Sequence, residues 1–320
     1  MRIVVLDDYQ DAVRSLACFS KVAGHEVAIH RDTVTGDALV ERLQGAEAVV
    51  LIRERTRLTA DVLERLKSLK FVSQTGRPGA NLDVAACTRL GIAVGFTSGS
   101  ARSTAELTFG LMLAAMRYIP LEDRRLREGR WQTTLGRSLH GRVLGIYAPG
   151  NIGSLVAGYG RAFGMNVLVH GRDAARERAA KEGYEFVSRE RLFSECDVVS
   201  LHIRLLPETR GIVKAADLAM MKSDSLIVNT SRAELVEHGA LEAALKAGRP
   251  GFAAVDVYES EPILGATHPL LAMDNVVATP HLGYVERSNY ETFFGTAFDN
   301  ILAFAAGKPQ NLVNPDVVKG

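Results

Sequence analysis

Only three of the 320 residues are cysteine, Cys18, Cys87 and Cys196, far apart and without a CxxC pair. That scarcity excludes a disulfide framework or a cysteine zinc site and fits a reducing compartment, with the thiols as buried small hydrophobes. Charge of one sign is not in excess: 38 Lys and Arg face 37 Asp and Glu, a net charge of +1. Binding to a phosphate backbone leaves a basic surplus in such totals, so no nucleic acid partner is expected. Long hydrophobic runs are missing too. The longest, residues 109–116, falls far short of the ~18 apolar residues that span a bilayer, so no membrane partner is expected. The opening residues 2–7 carry no charged leader and read as a strand, which makes a cytoplasmic location the expectation. None of the eight histidines shows HExxH spacing, and no metal is expected.

What is present is a chain about twice the length of a ~150-residue domain, with 47% hydrophobic and 23% charged residues, enough for two cores. Short apolar runs at 3–6, 27–29, 48–52, 71–73 and 92–94 alternate with helical patterns. A second series follows at 143–147, 167–170, 198–202, 226–229, 253–258 and 276–278. This alternation predicts an α/β protein of two doubly wound parallel sheets. Between the series, Ser103-Thr104-Ala105-Glu106 reads as a capping box opening a helix, with Leu107, Leu111, Ala114 and Tyr118 on one stripe facing the other unit or a second subunit. Residues 286–307 read as a last helix whose Phe293, Phe294, Ala297, Ile301 and Phe304 are core.

A strand-turn-helix phosphate loop begins the second series. In Leu144-Gly145-Ile146-Tyr147-Ala148-Pro149-Gly150-Asn151-Ile152-Gly153, Gly150 and Gly153 stand as the second and third glycines of GxGxxG, and Ala148 replaces the first. Gly150 lets the backbone approach a pyrophosphate, Gly153 lets helix and strand pack closely, and the helix start offers amide donors. This points to a Rossmann-type cofactor domain. The next strand ends at Gly171-Arg172, with no acid at the strand end to bond a ribose hydroxyl. Gly171 makes room for a 2′-phosphate and Arg172 can pair with it, so NADP(H) is favoured; NAD(H) stays open through Asp173.

Three later segments each follow a strand end: Asn229-Thr230-Ser231-Arg232, Asp256 to Pro262, and Thr279-Pro280-His281-Leu282-Gly283. Reduction of a 2-oxo acid needs a cation for the carboxylate, a proton donor for the carbonyl oxygen, and a group that tunes the donor. Arg232 offers a bidentate guanidinium, His281 an imidazole that titrates near working pH, and Glu261 a carboxylate that favours the imidazolium.

Together these segments resemble the D-isomer-specific 2-hydroxyacid dehydrogenases, the family of phosphoglycerate dehydrogenase and glyoxylate/hydroxypyruvate reductase. Residues 76–83, 103–106 and 198–202 extend the likeness along nearly the whole chain. The resemblance implies a flavodoxin-like substrate domain from 1–100 and 286–320, a cofactor domain over 101–285, a site in the cleft and a homodimer. It implies that Arg232 binds substrate, that His281 is the acid/base with Glu261 as partner, and that Asp256 contacts the nicotinamide amide. It also carries Thr104, His202 and Thr230 to the cofactor, and the loop Arg77-Pro78-Gly79 to the substrate carboxylate. Departures from the family pattern include Pro78, which has no amide to donate, Arg204 near the adenosine side, and Tyr284, whose ring shapes the pocket beside His281. Glu261 disfavours formate, for which relatives carry glutamine. Two other readings share the scaffold: a dinucleotide-sensing corepressor-like protein, and a phosphite-type dehydrogenase.

Overall fold

A computed structural model describes residues 1–318. The chain divides into two compact units, Met1–Ser100 with Val285–Gly320, and Ala101–Tyr284. The last two residues of the first unit lie outside those described.

In the first unit, β1 (Arg2–Val5), β2 (Glu26–Ile29), β3 (Ala48–Ile52), β4 (Phe71–Thr75) and β5 (Ala93–Phe96) form a parallel sheet in the order β2-β1-β3-β4-β5. Every residue of β3 and β4 is buried, because helices cover both faces, and an unbroken apolar run such as Ala48-Val49-Val50-Leu51-Ile52 suits only that setting. The helix Arg287–Ala305 returns to this unit and buries Phe293, Phe294, Ala297, Phe298 and Ile301; Phe304 stacks on Phe71 at 4.8 Å. The carboxylate of Glu286 caps its start by accepting from the Ser288 and Asn289 amides.

In the second unit, β6 (Val143–Tyr147), β7 (Asn166–His170), β8 (Glu185–Phe186), β9 (Val198–Leu201), β10 (Leu226–Asn229), β11 (Phe252–Val255) and β12 (Val276–Ala278) run parallel in the order β12-β11-β10-β9-β6-β7-β8. Strand order reverses at β6 and β9, so a doubly wound sheet opens its crevice at their carboxyl ends. The two-residue β8 is too short to leave an apolar run in the sequence.

The helix Ala101–Met116 corrects the expected capping box. It starts at Ala101, so Ser103 lies inside its first turn, and the Ser103 hydroxyl donates to the Gly283 carbonyl at 2.8 Å. The expected stripe is displaced as well. Leu111 of that stripe is buried, together with Ala105, Thr108, Phe109, Met112, Ala115 and Met116, because the helix packs on helix Asn151–Ala162, whereas Leu107 and Ala114 are half-buried. Tyr118 lies beyond the helix at φ 55° and precedes the helix Ile119–Arg127. No helix among the described residues is long and apolar enough to cross a membrane. All three cysteines are buried with free thiols, and burial pushes Cys87 and Cys196 up to about 12.

Candidate active site

The phosphate loop leaves β6 through Ala148, which holds φ at 65°, a left-handed value that glycine adopts without cost and alanine does not. The turn is pinned by the Gly150 amide donating to the Ala148 carbonyl and by Arg178 donating to the Pro149 carbonyl. The helix Asn151–Ala162 then begins at Gly150 with no side-chain cap, so its first amides, on Asn151, Ile152 and Gly153, point outward without an intrahelical acceptor. A Cβ on Gly150 would meet only open space, whereas one on Gly153 would stand 3.0 Å from the Ala148 carbonyl and 3.2 Å from the His202 ring. An uncapped helix start with an open backbone approach at the strand crevice fits a pyrophosphate. His202 follows β9 beside this loop, its Nε2 3.0 Å from the Ser200 hydroxyl. Desolvation pushes its imidazole down to about 4, although part of its surface is open.

At the end of β7, a Cβ on Gly171 would come within 2.7 Å of the Ala175 Cβ. No acidic side chain fits there unless the helix Asp173–Glu182 moves, and Arg172 and Asp173 beside it are exposed.

At the end of β10, buried Asn229 shapes the next turn. Its Oδ1 accepts from the Ser231 amide and its Nδ2 donates to the Arg232 carbonyl, so Arg232 is presented from a fixed backbone. The Thr230 hydroxyl donates to Thr108, whose own proton goes to the Thr104 carbonyl. The guanidinium of Arg232 donates to the Ser231 carbonyl at 2.7 Å and is near enough to Glu261 to draw its carboxyl down.

Beyond β11 and β12 the structure joins the expected pair: His281 Nδ1 and Glu261 Oε2 are 2.6 Å apart. Burial raises the Glu261 carboxyl, but His281, the Tyr258 amide and Arg232 together bring it below the ordinary range. Ionised Glu261 only accepts, so the proton of this bond resides on Nδ1 and Nε2 is left for substrate chemistry. The Tyr284 ring packs in a T-shaped contact with His281 at 5.4 Å, and Tyr284 is buried.

Asp256 is fully buried, and its carboxylate is spent inside the chain. Oδ1 accepts from the Thr279 hydroxyl and the Leu282 amide, and Oδ2 from the Gly283 amide. Burial still raises its pKa above the usual carboxylate value. The Thr104 and Ser103 hydroxyls both reach the Gly283 carbonyl. Asp256 and Thr104 thus brace the turn that bears His281.

In the first unit, the loop after β4 contains Arg77, Pro78 and Gly79. Asn81 Oδ1 takes the Gly79 amide, and Thr97 takes that of Gly76. With Pro78 having no amide proton, the Arg77 amide is the donor these bonds leave over, and its guanidinium stacks on Phe96 at 4.1 Å. Sequence reasoning missed Arg53, which sits so close beneath Gly76 that a Cβ there would be 1.8 Å from its Nη1. Its place just past the carboxyl end of β3 was the available signal. It also missed Asn229, Tyr258 and Thr279 as organisers of the site. Glu242, Glu259 and His268 lie within 4.8 Å of one another. His268 Nδ1 accepts from the Leu270 amide, so its Nε2 proton faces Glu259 and the ring is already committed as a pin between loop segments.

A family model for the D-isomer specific 2-hydroxyacid dehydrogenase NAD-binding domain matches residues 109–283. A glyoxylate reductase of Aeropyrum pernix is 39% identical over 88% of this chain and 87% of its own. A D-3-phosphoglycerate dehydrogenase of Methanocaldococcus jannaschii is 38% identical over 88% of this chain, which spans 53% of that longer protein. A solved oxidoreductase from Ralstonia solanacearum superposes with a TM-score of 0.97 at 49% identity, covering 100% of this chain and 98% of that one.

Proposed function

The chain belongs to the D-isomer-specific 2-hydroxyacid dehydrogenases, oxidoreductases that act on CH–OH groups with a nicotinamide dinucleotide, and on that premise we propose which residues perform the reaction and on what. Arg232 forks the carboxylate of a small 2-oxo acid, and His281 protonates the carbonyl oxygen from Nε2 and takes the proton back in oxidation. Glu261 holds the ring by Nδ1 and stabilises the imidazolium. The observation that carries this reading is the 2.6 Å contact of Glu261 with His281, beside Arg232.

When bound, the dinucleotide supplies the redox chemistry, exchanging a hydride with the substrate carbon. The amides of Asn151, Ile152 and Gly153 hold its pyrophosphate, with Ala148 and Gly150 giving access and His202 and Thr230 lining the crevice. Asp256 and Thr104 serve it through the turn they brace. NADP(H) is favoured by Arg172, an exposed cation just past β7 that can pair with a 2′-phosphate, while Gly171, packed against Ala175 and so not itself opening space on that side, carries no acid to repel it. Arg77 is a further substrate cation, with Pro78 and Gly79 shaping its loop, and Tyr284 walls His281 on one side.

We place the enzyme in the cytoplasm, on the strength of its three buried free thiols. We read it as a homodimer. Trp131 and Leu135 are 76% and 92% exposed and follow a helix whose Leu126 is also exposed, a surface that a second copy would bury.

The test is cofactor oxidation by the purified protein, with NADPH and NADH offered separately against glyoxylate, hydroxypyruvate, pyruvate and phenylpyruvate. Turnover of at least one acid to the D-hydroxy product, faster with NADPH, is expected. Preference for NADH overturns the reading of Gly171 and Arg172. Tight cofactor binding without any turnover overturns the catalytic reading and favours a dinucleotide-sensing role.

A further inference from the structure

We propose that Tyr258 is a positioning residue that ties the loop bearing Glu261 to the turn bearing His281 and so sets the alignment of the pair. This rests on the reading of His281 as the acid/base.

Tyr258 follows β11, and both of its ends are engaged. Its backbone amide donates to Glu261 Oε1 at 3.0 Å, the carboxylate oxygen that does not face His281. Its phenol donates to the Thr279 carbonyl at 3.1 Å, and the His281 amide donates to that same carbonyl at 3.0 Å. The contacts close a ring: Tyr258 amide, Glu261 carboxylate, His281 imidazole, His281 amide, Thr279 carbonyl, Tyr258 phenol. Every link lies within the second unit.

The turn needs such a strap. His281 holds φ at 54°, in the left-handed region that few residues other than glycine occupy, although histidine is among those found there more often, so the contacts around the turn help to keep it in place. Asp256 holds the turn through the Thr279 hydroxyl and the Leu282 and Gly283 amides, and Tyr258 adds a separate hold on the Thr279 carbonyl. The phenol is buried, with burial the main cause that pushes it up to about 12, so it keeps its proton and remains a donor throughout the working range. Its ring also makes a T-shaped contact with the His268 ring at 5.1 Å, and His268 in turn contacts Glu259, so the segment around the tyrosine is itself anchored.

Phenylalanine at 258 keeps the ring volume and the backbone amide and removes the phenol link alone. For Tyr258→Phe we expect kcat for 2-oxo acid reduction to fall about fivefold, the scale of one hydrogen bond, with the cofactor Kd unchanged. In a Glu261→Gln background the same change should cause no further fall, because the ring is already broken. The low-field proton resonance of the Nδ1–H···carboxylate bond, identified by its absence in His281→Gln, should shift or broaden in Tyr258→Phe. Losses that multiply in the double variant, or an unchanged kcat with an unchanged resonance, overturn the proposal. If the wild-type protein turns over no 2-oxo acid, the functional reading fails separately, and the resonance decides: a shift supports the strap, and an unaltered signal overturns it.

Discussion

The histidine-carboxylate pair shows how far single residues can be read. Arg232, Glu261 and His281 are recognisable by chemical type and by position after strand ends, yet their meeting depends on residues without such a signal, since Asn229 and Tyr258 act through backbone bonds that no spacing announces. Glu261 makes a prediction of its own. Burial raises its carboxyl, but the bonds and charge of His281, with the Tyr258 amide and Arg232, leave it below its unfolded value. A depressed carboxyl contributes stability that is complete above the ordinary carboxylate range and is lost as pH falls through the folded value. Urea midpoints of the wild-type protein and Glu261→Gln should therefore differ at neutral pH and converge as the solution becomes acid. A gap that stays constant contradicts the assignment.

Elements were legible where both faces of a strand are covered, because a buried parallel strand writes an unbroken apolar run, as in Ala48–Ile52. Helix starts were less so. Ser103 and Glu106 have capping-box spacing, but the helix has already begun at Ala101 and Ser103 serves the Gly283 carbonyl instead, a tertiary bond that outweighs the local pattern. The turn Thr279–Gly283 gives the prediction at this scale. Asp256 offers it two oxygens for three donors, and asparagine has only one oxygen, so its amide group must face a donor. Asp256→Asn should lower unfolding stability by about 1–3 kcal/mol and reduce kcat more than it raises the cofactor Kd. Chemical denaturation beside steady-state kinetics checks both, and an unaltered midpoint would show that the brace is dispensable.

For the whole molecule, one rule recovers most of the architecture: doubly wound sheets bind ligands at their carboxyl ends. In the second unit Ala148, Gly171, His202, Arg232, Asp256 and His281 all lie just beyond such ends. What composition could not give is the exposure of Trp131 and Leu135, which is set by the path of the segment after helix Ile119–Arg127. Light scattering after size exclusion should report a dimer for the wild-type chain and a shift towards monomer for Leu135→Asp. A monomeric wild-type chain would remove the homodimer from the account.

The central claim is that His281 moves the proton, and it is tested most directly by comparing single-turnover reduction of the preferred 2-oxo acid in wild-type protein and His281→Ala at matched cofactor saturation. A fall of roughly 100-fold or more, with the cofactor Kd unchanged, is the predicted result. Near-normal turnover in His281→Ala would contradict it and return the proton to another group.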